Sequence, residues 1–201
     1  MTCAQFAPVD GTAEGMDLQD LIPQGDDCVD NLALSILDPY GTTLTTYFWI
    51  DYGSEGGSYW TEDGDSKAVG VKFKSSEAFW LQASSDTQFL QSSGAVCKED
   101  VIIQLQEGAT MVGNPTPISV DIQDILPSGE DCVDNLALSI LDPYGTTLTT
   151  YFWIDYGSEG GSYWTEDGDS KALDVSIAPG KGVWLQASSD AQYVTFPGVE
   201  L

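Results

Sequence analysis

Ten acidic residues in two loops form the densest chemical feature of the chain. Asp51, Glu55, Glu62, Asp63 and Asp65 lie within fifteen residues that hold no basic side chain, and Asp155, Glu159, Glu166, Asp167 and Asp169 repeat them. Calcium takes about six to eight oxygen ligands, and loops rich in Asp, Glu and Gly supply carboxylates and bare carbonyls. Asp51, Glu55, Asp63 and Asp65, with Asp155, Glu159, Asp167 and Asp169, are therefore candidate calcium ligands. Their spacing is not that of an EF-hand loop, and the competing reading is a pair of solvated acidic loops. A weaker acidic group, Asp26, Asp27 and Asp30, surrounds Cys28.

Aromatic side chains are the second candidate. In a strand, Tyr47 and Trp49 share one face and Phe48 and Ile50 the other. The same order recurs at Tyr151 and Trp153. Exposed rings stack on sugars while neighbouring carboxylates accept hydrogen bonds from the sugar hydroxyls, so Tyr47, Trp49, Tyr151 and Trp153 are candidate glycan contacts. Set against this, large rings dominate burial in small β-cores.

Cys3, Cys28, Cys97 and Cys132 complete the set. Cys28 and Cys132 are equivalent under a shift of 104 residues, whereas Cys3 and Cys97 align with Glu107 and Leu201. Symmetry favours Cys3–Cys28 and Cys97–Cys132 bridges, one of the three pairings that four cysteines allow. Such bridges imply an oxidising, extracytoplasmic compartment. The alternative is four small buried thiols.

The rest of the composition excludes more than it suggests. The 201 residues include six lysines, no arginine and no histidine, for a net charge of −26. A histidine general base, a Ser-His-Asp triad and His-ligated zinc are impossible within the chain. Nucleic acid and anionic lipid surfaces are poor partners for this field, whereas a cationic partner, a neutral glycan or a calcium ion is compatible. Catalysis through paired carboxylates is possible in principle, but acidic pairs are too abundant here to be specific. No nucleophile, base and orienter converge in the pattern, so the chain is not expected to be an enzyme. No apolar run is long enough for a transmembrane helix. The first residues lack the basic and apolar regions of a signal peptide, which leaves a cytosolic chain or a mature one without its leader.

The positioning elements follow from a repeat. Asp27–Ala68 is identical to Asp131–Ala172, and Trp80–Asp86 to Trp184–Asp190, without a gap. Within each copy the pattern is β. Val69, Val71 and Phe73 alternate with small or charged residues, as Leu173, Val175 and Ile177 do. Thr, Tyr and Trp enrichment and the Asp38-Pro39-Tyr40-Gly41 turn agree. The expected fold is all-β, with two tandem antiparallel β-sandwich or partly open barrel modules spanning 1–96 and 97–201. A short helical turn is expected near Asp17–Ile22. If linker and terminal strands serve both modules, the chain leaves incomplete sheet edges, and such edges accept strands.

The runs Ala78–Gln82, Gln88–Gly94 and Gly113–Pro117 resemble repeated β-modules of secreted or surface bacterial proteins, many without an assigned function. The first copy lacks the Gly-Asn-Pro turn of the second. The resemblance implies a β fold and an extracellular location, and transfers no catalytic or binding residue. Two functional readings follow. One is a non-catalytic secreted structural protein that self-assembles in a surface assembly or filament. The other is a bivalent carbohydrate-binding module that works by avidity.

Overall fold

Alternating apolar and polar side chains drive most of the chain into strands. In this computed structural model strands make up 48% of the structure, and the two α-helices are single turns, so the fold is all-β. The structure describes residues 2–3, 16–38, 42–73, 77–85, 87–91, 98–142 and 145–199. Pro39, Tyr40 and Gly41 of the expected turn lie outside them, as does Cys97.

The first part of the chain forms β1 (Thr2–Cys3), β2 (Met16–Asp17), β3 (Ile22–Gln24), β4 (Ala33–Leu37) and β5 (Leu44–Asp51). The turn α1 (Gly53–Gly56) leads to β6 (Ser58–Thr61), β7 (Lys72–Phe73), β8 (Ala78–Gln82) and β9 (Phe89–Gln91). Then follow β10 (Val101–Gln104), β11 (Gly108–Gly113), β12 (Val120–Asp121), β13 (Leu126–Gly129), β14 (Ala137–Leu141) and β15 (Leu148–Asp155). The turn α2 (Gly157–Gly160) leads to β16 (Ser162–Thr165), β17 (Ser176–Ile177), β18 (Gly182–Ala187) and β19 (Gln192–Phe196). The expected turn near Asp17 is a 3-10 helix over Leu18–Asp20, capped by the Asp17 carboxylate, which accepts from Gln19 N at 2.9 Å.

Two five-stranded antiparallel sheets dominate, in the orders β1-β8-β4-β5-β6 and β11-β18-β14-β15-β16. Their registers correspond pair by pair: Leu34 opposes Tyr47, and Leu138 opposes Tyr151. Smaller sheets pair β2 with β7, β12 with β17 and β3 with β9, and a three-stranded sheet runs β10-β19-β13. No sheet closes into a barrel among the described residues.

Each large sheet shares a core with its small sheets, a sandwich-like arrangement. One cluster joins Leu18, Leu21, Leu34, Tyr47, Trp60, Phe73 and Phe79, with Leu81 and Leu90 packed partly buried against it. The other joins Ile103, Leu105, Ile122, Leu138, Tyr151, Trp164, Leu185, Val194 and Phe196. At the β3–β9 corner, Gly25 adopts φ +105°, and a Cβ there would stand 2.0 Å from the Thr87 carbonyl oxygen. Only glycine allows that approach.

The edge strand β1 departs from the 104-residue spacing. Thr2 opposes Phe79 and Cys3 opposes Ala78, while Val112 opposes Val183 and Gly113 opposes Gly182. Phe79 and Val183 are 104 residues apart, whereas Thr2 and Val112 are 110 apart. In space Cys3 therefore corresponds to Gly113 rather than Glu107.

Candidate functional site

The acidic loops are held by their own hydrogen bonds. Asp63 Oδ1 accepts from Thr61 Oγ1 at 2.9 Å, Asp65 N at 3.0 Å and Ser66 N at 2.8 Å. Those bonds favour the anion and hold its pKa at about 2; Asp167 makes the same set and also lies at about 2. Asp51 Oδ1 caps α1 through Gly53 N at 2.8 Å, and Asp155 Oδ1 does so through Gly157 N at 2.8 Å. Tyr59 donates to Asp65 O and Tyr163 to Asp169 O, both at 3.1 Å. Tyr52 donates to Gly64 O, and Tyr156 to Gly168 O. Glu55 and Glu159 sit exposed in α1 and α2. Among the described residues no group of three or more acidic or thiol side chains is placed to hold a metal ion. The carboxylates of Asp51, Asp63, Asp155 and Asp167 thus organise turns.

The candidate glycan rings face inward. Tyr47 and Tyr151 are each 7% exposed and Trp153 is 8% exposed. Trp49 is partly buried and meets Trp60 edge to face at 5.5 Å, as Trp153 meets Trp164 at 5.4 Å. Desolvation, and next the charge of Glu62, raises the Tyr47 phenol pKa above its ordinary value. The apolar demand of a small core has claimed the face assigned to sugars. Phe48, Tyr52, Phe152 and Tyr156 are the rings that reach the surface there.

Neither expected bridge is seen among the described residues, which leave out Cys97. Cys28 and Cys132 are free, buried thiols. The Cys28 thiol donates to Gln24 O at 3.3 Å and that of Cys132 to Ser128 O at 3.2 Å, so each closes its own turn. Cys3 lies on the edge strand β1, opposite Ala78. Burial, then Asp26 and Asp27, raises the Cys28 thiol pKa, and burial does the same at Cys132.

What distinguishes the molecule is the treatment of its sheet edges. An edge strand carries unpaired N–H and C=O groups that invite pairing, and folded chains cover or blunt them. The Gln19 side chain covers β6: its Nε2 donates to Trp60 O at 3.0 Å and Ala68 O at 2.8 Å, and its Oε1 accepts from Trp60 N at 3.0 Å. Gln123 covers β16 in the same way. Glu77 bridges to Val112 on β11. On β19, β13 takes one side and β10 the other. On β9, β3 takes one side, and among the described residues nothing pairs with the other.

The core beneath β9 is also less buried than its counterpart beneath β19. In the second half Ile103 and Leu105 lie against the cluster, and Leu185, Val194 and Ala187 there are buried. Their counterparts 104 residues earlier are partly buried Leu81 and Leu90 and exposed Ala83. Ile103 and Leu105 contribute to the difference, as does β11, which sets Thr110 opposite Leu185 and Gly108 opposite Ala187, where β1 reaches β8 only at Phe79 and Ala78. Sequence reasoning expected incomplete sheet edges where linker and terminal strands are shared, and did not single out β9 or Leu81 and Leu90. Their signal was available: the run 87–97 holds no charged residue in a chain of net charge −26. Compared with protein-family models, with curated proteins and with solved structures, the chain matches none of them.

Proposed function

We propose that the chain is a non-catalytic structural protein of an extracellular surface assembly, built from two tandem β-modules that associate through sheet edges. The observation that carries this reading is β9: its outer edge is unpaired among the described residues, while the corresponding edge of β19 is covered by β10. An uncharged edge in a strongly acidic chain lacks the side chains that normally discourage pairing. The resemblance to repeated modules of secreted bacterial proteins supports the location. Copies of the chain are the partner this reading requires. Heterologous contacts between copies extend into filaments when their rotation does not close.

Sedimentation velocity over a concentration series tests it. The reading predicts larger species that grow with concentration and persist in added salt. A single monomeric boundary throughout overturns it. Repeating the series with calcium and with a chelator tests whether the acidic loops take part.

A second reading, glycan binding, draws support from one shallow surface pocket lined by Asp134, Phe152, Ile154, Asp155, Tyr156 and Gly168. It combines exposed rings with carboxylates, although not the rings expected from sequence. Glycan-array binding that disappears in Tyr156→Ala supports it, and an array without signal removes it.

A further inference from the structure

We infer that the outer edge of β9 is an acceptor site for an extended segment of the β10 type, bound antiparallel as an added strand. This deepens the edge-association reading and rests on it. The chain itself displays the occupant, because β10 lies on β19 with Ile102 opposite Thr195, Ile103 opposite Val194 and Gln104 opposite Tyr193. Shifted by 104 residues, that register sets Ile102 of the donor against Gln91, Ile103 against Leu90 and Gln104 against Phe89.

The backbone pattern transfers with it. Leu105 N donates to Gln192 O at 2.9 Å. In an antiparallel ladder the bonded pairs alternate, so the N–H groups of Ile103 and Leu105 both face β19. On β9 the same two N–H groups would meet the carbonyls of Leu90 and Gln88. The side chains fit as well. Ile103 and Leu105 are buried in the second core, and the first core presents partly buried Leu81 and Leu90 at that place. The donor is thus an extended stretch with apolar residues at alternate positions, held by main-chain bonds and by apolar contact with Leu81 and Leu90.

The donor must be a strand with no prior partner. If β10 of one copy moved to β9 of another, it would leave one side of its own β19 unpaired among the described residues. Exchange of β10 therefore trades one open edge for another among the described residues, so the donor is an extended segment other than a β10 already paired in its own chain.

The probe is a synthetic peptide of residues 98–107, Lys-Glu-Asp-Val-Ile-Ile-Gln-Leu-Gln-Glu, added to the full chain. Binding is followed by fluorescence anisotropy and mapped by amide NMR shifts. The expected result is saturable binding of one peptide per chain, with Kd of about 1–100 μM and shifts centred on residues 81 and 88–91. Methylating the backbone nitrogens of Ile103 and Leu105 removes the bonding donors and weakens binding by at least about tenfold, while methylating those of Ile102 and Gln104 weakens it much less. These variants change the peptide only, so folding of the protein is not at issue. No binding, equal loss with both methylated peptides, or shifts centred on 192–196 overturns the assignment. A chain that forms large species yet ignores the peptide leaves edge association standing and removes this acceptor. A chain that stays monomeric and takes the peptide keeps the acceptor and removes self-assembly.

Discussion

Trp80 and Trp184, equivalent positions of the repeat, meet each other with ring centroids 6.3 Å apart and planes at 50°. Ala78 and Met111 are buried beside them, with Leu37 packed against the pair. Equivalent residues touching is the signature of an isologous contact, here within one chain. The join has one flaw: the buried Trp184 Nε1–H has no acceptor among the described residues.

That flaw makes two tryptophans respond differently. Trp164 donates from Nε1 to Ile125 O at 2.9 Å and is fully buried. Trp164→Phe should cost about 2–4 kcal/mol, from a lost bond, an orphaned carbonyl and a cavity. Trp184→Phe removes a donor that is already unmet and should cost less than about 1 kcal/mol. Urea unfolding of both variants checks the order; equal costs would contradict the account of the join.

The Gly-Asn-Pro turn hangs on Asn114. Its Nδ2 donates to Ile118 O and Ile177 O, each at 2.8 Å, and its Oδ1 accepts from Thr116 N at 2.9 Å and Thr116 Oγ1 at 2.8 Å. Asn114 is fully buried. Asn114→Ala strands buried polar groups and should destabilise the chain by about 2–4 kcal/mol. A loss under about 0.5 kcal/mol in the same assay would show that the turn holds itself.

Acid should loosen the loops at Asp63 and Asp167. Both pKa values are depressed from 3.8 to about 2. The stabilisation is therefore complete above the unfolded value and disappears as pH falls through the folded one. Relief of repulsion in so acidic a chain acts in the opposite direction, so the comparison must be internal. The stability gap between the native chain and the Asp63→Asn, Asp167→Asn variant should shrink from about pH 5 to about pH 2. A gap independent of pH would mean the carboxylates contribute nothing through their charge.

The thiols at Cys28 and Cys132 should be slow to react. Burial raises both pKa values, which lowers the thiolate fraction. At about pH 8 their alkylation should run at least about tenfold slower in the folded chain than in urea. Peptide mapping without reductant should find both residues unbridged. Recovery of a Cys3–Cys28 peptide would reverse that conclusion.

Much of the fold was legible because period-two alternation survives burial. Val69 to Phe73 and Leu173 to Ile177 showed it, although only their ends became strands. The site was harder to read. Tyr47 and Trp49 were correctly placed on one face, but which face a core claims depends on what packs against it. Cysteine spacing suggested bridges, whereas turn geometry turned each described thiol toward a nearby carbonyl. The β9 edge was hinted at by unmatched ends, yet Gln19, which covers β6 from 41 residues away, is visible only once the chain is folded.

Negative-stain electron microscopy of the concentrated, purified chain tests the central claim most directly. Edge association predicts ordered filaments or other regular assemblies whose repeat accommodates one chain. Isolated small particles at every concentration would contradict it.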